Sequence, residues 1–196
     1  MKTNVFVLLG LLMMVSSATF SQNTDKRFAF ELNGGAAFPL TELNNTNLNT
    51  GIGFEGIFHY RFMAHTGVFA GWGWNRFAAD QSFAGDDVCF EETGYIFGLQ
   101  FMHPIADSRF SYYFRAGGLY NHIETENADG EIINDSKHGL GYQLGGGINY
   151  NLSNNWSLNM GVKYNSLNRE STFEGVTKSL DYKYISAVRA GIVKHF

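Results

Sequence analysis

The chain is short of most things that soluble, catalytic or nucleic-acid-binding proteins rely on. It has a single cysteine, Cys89, in 196 residues. That excludes an internal disulfide, and with no CxxC or Cys/His cluster it argues against a zinc-thiolate site. Charged residues make up only 16%, against roughly 25% in ordinary soluble domains. Basic residues are not in excess: the formal net charge of −4 offers no basic face for nucleic acid. Beyond residue 21 there is no apolar run near the roughly 20 residues a transmembrane helix needs. There is no GxSxG elbow, no HExxH and no phosphate loop. Prolines number two, and helix formers such as Ala, Lys and Glu are scarce. What is abundant is Gly, 23 residues, with 18 Phe, 10 Tyr and 3 Trp.

The first positive signal is at the N-terminus. Lys2 supplies a short positive region, Val5 to Val15 an apolar core, and Ser16, Ser17, Ala18, Thr19, Phe20 and Ser21 a run of mostly small residues. This is the layout of a secretory signal peptide over residues 1–21, cleaved after Ala18 or after Ser21. The core is too short to span a bilayer, and no Cys lies at the cleavage region to take a lipid anchor. Residues 22–196 are then the mature domain.

Period-two alternation recurs through that domain. Eight segments carry it: 28–38, 51–60, 66–77, 92–103, 110–123, 139–151, 156–167 and 182–196. Segment 139–151 is representative, with Leu140, Tyr142, Leu144, Ile148 and Tyr150 on one face and Gln143, Gly145, Gly147 and Asn149 on the other. In segment 182–196 the alternation puts Tyr184, Ala190, Ile192 and Phe196 on the apolar face and Lys183, Arg189 and His195 on the polar one. Strands in soluble proteins average about 5 or 6 residues. These run to about 10 or more, the length a tilted strand needs to cross a bilayer. The connections alternate: 39–50, 80–91, 124–138 and 169–181 are long and polar, whereas 61–65, 104–109 and 152–155 are short. Long loops at one end and tight turns at the other predict an all-β, eight-stranded, antiparallel up-and-down transmembrane β-barrel.

Composition decides which face looks outward. A soluble lipocalin-like barrel also alternates, with its apolar face inside around an apolar ligand, but its outer face would be rich in Lys and Glu. Here the polar face is mostly Gly, Asn, Ser and Gln, which suits a narrow packed lumen. The apolar face is a near-continuous set of Phe, Tyr, Leu, Ile and Val, which lipid requires and water would aggregate. Trp72, Trp74, Tyr120, Tyr150, Trp156 and Tyr184, near segment ends, are expected at the headgroup level as interface aromatics.

With the signal peptide, the eight segments, the loop asymmetry and a last strand SAVRAGIVKHF ending in Phe196, the chain resembles the small outer-membrane β-barrel family, of the OmpA/OmpX eight-stranded type. The resemblance implies a place in the outer membrane of a Gram-negative bacterium, in contact with lipid and lipopolysaccharide. It implies that Phe196 serves as the C-terminal insertion signal read by the barrel-insertion machinery. Because the sequence stops at Phe196, no separate peptidoglycan-binding domain is expected, a departure from the two-domain members of that family.

Candidate chemistry is sparse. The polar face carries Glu31, Glu55, Arg115, Lys163 and Arg189, which in a lumen with little water must pair. A structural salt-bridge network is the expectation, with a gated ion path as the alternative. Of six His, four (His59, His65, His103 and His195) fall near the turn end on different faces, and no metal or cofactor is expected there. Ser136 near His138 is the nearest thing to a Ser/His pair, and no catalysis is expected from it. The glycine runs at 117–118 and 145–147 favour curvature or close interior packing. The acidic loops, with Asp80, Asp86, Asp87, Glu91 and Glu92 in one and Glu124, Glu126, Asp129, Glu131 and Asp135 in another, are solvated surface, or bind cations bridging lipopolysaccharide, or meet an unidentified extracellular partner. The expectation is therefore a structural or interaction-type barrel, not an enzyme, with a small passive pore or carrier as the alternative.

Overall fold

In the computed structural model, which describes residues 26–173 and 175–196, the chain is built from strands. They are β1 (Phe28–Pro39), β2 (Gly51–Arg61), β3 (Thr66–Ser82), β4 (Gly85–Pro104), β5 (Phe110–Glu126), β6 (Ile132–Asp135), β7 (Gly139–Asn151), β8 (Trp156–Leu167), β9 (Glu170–Phe173), β10 (Val176–Ser179) and β11 (Tyr182–His195). Eight of them close a ring. Each pairs antiparallel with its sequence neighbour, β5 with β7 across the short β6, β8 with β11 across β9 and β10, and β11 with β1. Closure gives each of the eight wall strands a hydrogen-bonded neighbour on both sides, with no open edge in the ring. The expected signal peptide lies outside the described residues.

The wall alternates with period two. In β2 the pattern of burial switches residue by residue, with Gly51, Gly53, Glu55, Ile57 and His59 inside and Ile52, Phe54, Phe58 and Tyr60 outside. Phe54, Leu99, Phe114, Leu144, Met160 and Val162 are among the outward residues left exposed. The greasy rows therefore face away from the barrel axis, which overturns the soluble lipocalin-like alternative. The alternation of β3, ambiguous in sequence, resolves with Val68, Ala70 and Trp72 outside and Phe69, Asn75 and Phe77 inside.

Three expectations are corrected. The stretch 80–91 is not a loop: β3 and β4 run on as one hairpin, Ser82 pairing with Gly85 around residues 83 and 84. Alternation continues through Ala79, Val88 and Phe90, all buried, so the acidic character that suggested a loop is only the outer face of a projecting ribbon. Second, the lumen is not polar throughout. Phe77, Phe90, Val88, Leu119 and Ile123 pack with Leu43 and Leu180 from the connections into an apolar cluster at the loop end. Strands that rise past the bilayer need a core of their own, because both faces there meet water.

The third correction concerns Tyr184, which does not reach the lipid interface. It is fully buried in the lumen, as is Tyr182 beside it. The cause is a β-bulge. Gly34 pairs with Ala190 but Ala36 pairs with Ala187, so β11 carries one residue more than β1 across this stretch. The same shift falls between Ser186 and Arg189 against β8. One inserted residue reverses the phase, so Tyr182, Tyr184 and Ser186 face inward before it and Arg189 and Val193 after it.

Candidate functional site

The lumen has three zones, each built from inward positions of the wall. The middle zone brings together all five charged residues expected there. Arg115 on β5 grips Glu31 on β1 with both guanidinium ends, Nη1 donating to Oε1 at 3.1 Å and Nη2 to Oε2 at 2.5 Å. Its Nε donates to Gln100 Oε1 at 2.7 Å. Glu31 also meets His59 Nε2 at 3.1 Å and accepts from Asn33 Nδ2 at 2.6 Å. Asn33 in turn accepts from Arg189 Nε at 2.7 Å. Arg189 Nη2 lies 3.6 Å from Glu55, an ion pair too long for a hydrogen bond, and Lys163 Nζ donates to Glu55. One continuous chain of polar contacts thus runs from Gln100 to Lys163 across the barrel. Buried charges persist only when partnered in this way. A cavity of about 30 Å³ beside Arg189, Lys163 and Glu55 is large enough for a water molecule.

Glycine makes this packing feasible. Tyr113 projects inward next to Arg115, whose guanidinium carbon stands 4.6 Å from the ring centroid. A Cβ on Gly161 would come within 2.2 Å of the Tyr113 hydroxyl, and one on Gly147 within 2.8 Å. The glycine run of β7 is thus the socket for a lumen aromatic.

Toward the loop end a second polar cluster centres on Glu92. Its carboxylate accepts from Tyr184 at 2.5 Å, from Tyr182 at 3.2 Å and from Asn121. Tyr184 also accepts from Asn75 Nδ2 at 3.1 Å. Arg169, in the β8–β9 connection, reaches down to Asn121 and donates to the carbonyls of Asn121 and Leu140 at 2.8 and 2.9 Å, tying that connection over the mouth. Above lies the apolar cluster. Sequence reading placed Glu92 with the loop acids, yet the row Gly98, Ile96, Gly94 extended by one step puts it inside. Arg169 and the tyrosines carried no such signal: the first comes from a connection, the others from beyond the bulge.

At the turn end the described residues leave an opening. A vestibule of about 360 Å³ is lined by Lys26, Arg27, Arg61, His59, His195 and, at its inner end, Glu31, Tyr113 and Arg115. Cationic side chains dominate its rim. Ser157 contacts His195 Nε2 here at 2.8 Å. Its hydroxyl also donates to Asn151 Oδ1 at 2.9 Å, so it is shared between two partners of the wall. Ser136 is similarly occupied: it accepts from Ile123 N at 2.8 Å and donates to the Lys137 carbonyl at 3.3 Å. His138 is stacked on His122, ring centroids 4.4 Å apart.

The remaining expected site residues lie on the outside of the wall. Trp72 and Tyr120 are exposed toward the loop end, and Trp74 donates from Nε1 to Glu91 at 2.9 Å. Tyr150 packs on Phe110 at 4.9 Å, and Trp156 carries the Lys194 ammonium over its ring at 4.7 Å, both toward the turn end. Phe196 is exposed beside them, its N–H donating to the Phe28 carbonyl at 2.9 Å.

The family model of the outer membrane protein β-barrel domain matches residues 7–196. Among solved structures, the chain is similar to Neisserial surface protein A, with a TM-score of 0.61 and 16% identity over 86% of this chain and 97% of that one. OprG from Pseudomonas aeruginosa gives 0.59 and 16%, over 87% and 97%. Escherichia coli outer membrane protein W gives 0.53 and 18%, over 89% and 100%. At these identities the likeness is one of fold. No curated protein matches the chain by sequence.

Proposed function

The chain belongs to the outer membrane protein β-barrel domain family, and from that premise we propose that it is a structural and interaction-type barrel of the Gram-negative outer membrane, closed to solutes. The observation that carries this reading is the double closure of the lumen. The Gln100-to-Lys163 network spans the middle, and the apolar cluster around Phe77, Phe90 and Leu180 fills the loop end. An ion crossing would have to break buried charge pairs and then pass an apolar, packed layer, each step unfavourable by several kcal/mol. Among the described residues the hydroxyls of Ser136 and Ser157, the serines nearest a histidine, are already engaged, and the reading is of a non-catalytic role.

Lipid and lipopolysaccharide are the partners of the wall, whose exposed Phe, Leu, Ile and Val have the chemistry of acyl tails. Phe196, exposed next to the β1–β11 seam, is available to the barrel-insertion machinery. The projecting β3–β4 hairpin and the connections carrying β6, β9 and β10 are the surface available to an extracellular partner.

Planar-bilayer recording of the refolded mature protein tests the central claim. A membrane that stays insulating, and begins to conduct only when Arg115 and Arg189 are both replaced by Ser and Phe90 by Ala, supports the closed barrel. Stepwise single-channel currents from the unaltered protein overturn it and favour the passive pore.

A further inference from the structure

The outer end of β5 holds a cluster that the lumen does not use. His122 and Glu124 follow each other on the outward face of β5, and Glu124 pairs directly with Asp135 across the β5–β6 ladder. We propose that His122 Nδ1 and the Glu124 and Asp135 carboxylates form a binding site for a divalent transition-metal ion of the zinc class, on the outside of the barrel above Tyr120.

Geometry comes first. The three donor atoms all lie within 4.8 Å of one another. Zinc holds nitrogen and oxygen ligands at about 2.0 to 2.2 Å in tetrahedral geometry, so two ligands of one ion stand roughly 3.3 to 3.6 Å apart. The side chains must close by roughly an ångström, within reach of a side-chain rotation, and that of Asp135 is 52% exposed. His122 Nδ1 and Asp135 Oδ1 already meet at 2.5 Å; the ion would replace the shared proton and move between them.

Charge supplies an independent reason. Carboxylates directly opposite on antiparallel strands repel. The nearby guanidinium of Arg76 is taken by Glu91 at 3.3 Å and Glu126 at 3.1 Å. Among the described residues Glu124 has no cationic partner, and Asp135 has only His122. A divalent ion neutralises both acids at once.

The hairpin is also held in shape without a ligand. Ser136, next to Asp135, exchanges two hydrogen bonds with Ile123, N to O at 2.9 Å and Ile123 N to Oγ at 2.8 Å. Asn127 closes the tip, its Oδ1 accepting from Asp129 N at 3.0 Å and Glu131 N at 2.8 Å. The His138 ring, stacked on His122, restrains the rotation of that ligand. One imidazole with two carboxylates favours zinc, nickel or copper over calcium and magnesium, which prefer an all-oxygen shell. Three protein ligands on an exposed face leave further positions to water or to an anionic group of a neighbouring molecule.

The test is calorimetric titration of the refolded full mature chain with zinc chloride, with cobalt(II) absorption as the coordination signature. The expected result is one zinc per chain with micromolar affinity, visible-band cobalt absorption, and no displacement by millimolar calcium. His122→Ala and Asp135→Asn each weaken zinc by about tenfold or more, while both variants keep the heat-modifiable gel migration of the folded barrel. Glu124→Gln removes the cross-strand repulsion, so it folds and still loses affinity. Zinc that fails to bind, that binds the triple variant His122→Ala/Glu124→Gln/Asp135→Asn equally well, or that calcium displaces at comparable concentration overturns the site.

Discussion

Tyr184 and Arg189 both point into the lumen although five positions separate them, an odd spacing that an unbroken strand would send to opposite faces. The bulge between them reconciles two demands. Tyr184 must reach Glu92 and Asn75, and Arg189 must reach Asn33 and Glu55. Without the extra residue one of the two would face acyl chains, and an Arg near the bilayer midplane is unfavourable by about 2–4 kcal/mol.

Deleting Val188 removes that extra residue and restores simple alternation. The expected outcome is loss of the folded, heat-modifiable form on gels, because either the Tyr pair or Arg189 must turn to lipid. A deletion variant that folds with unchanged urea midpoint in lipid vesicles would show that the phase reversal is dispensable.

Arg115→Ala leaves Glu31 buried with only His59 and Asn33 as partners. Destabilisation by about 3–5 kcal/mol is expected, as for a charge stripped of its buried partner. The double variant Arg115→Met with Glu31→Gln removes both charges, and reversible urea unfolding in vesicles should place it well above the single variant.

Gly161→Ala drives a Cβ against the Tyr113 hydroxyl. A loss of about 1–3 kcal/mol is expected for this overpacking. Tyr113→Phe in the same chain should return part of it; the Gly146 carbonyl, 2.8 Å from the same Cβ position, limits the recovery. Unfolding midpoints of the two single variants and the double variant measure the coupling.

Leu144 and Leu140 lie on the same outward row of β7, mid-strand and near its loop end respectively. Leu144→Arg should destabilise by about 2–4 kcal/mol and Leu140→Arg by about 1 kcal/mol or less, following depth in the bilayer. Equal effects in vesicle unfolding would mean that the row does not run along the membrane normal.

Much of this architecture was readable from spacing alone, because lipid on one side and a packed lumen on the other impose a strict two-residue rhythm. Glu31, Glu55, Arg115, Lys163 and Arg189 fall inside by that rhythm, and their odd-numbered positions needed only the phase of each strand. The failures share a physical origin. Tyr184 departs from the simple alternation because a bulge leaves no mark in composition. The stretch 80–91 reads as a loop because its outer face is acidic, although Val88 and Phe90 keep the beat. Arg169 plugs the mouth from a connection, where no period applies. The His122, Glu124 and Asp135 cluster depends on which residue of β6 stands opposite Glu124, a register that only the paired strands disclose.

The seam between β1 and β11, where Phe196 N–H meets the Phe28 carbonyl, joins the first and last strands of the ring. Every other pairing in the ring is between wall strands that follow one another along the chain, whereas this one joins its two ends. No partial product can shut, and each shorter chain would present two raw edges to its surroundings. Closure of the ring therefore requires β11, and until it pairs, β1 keeps an open edge.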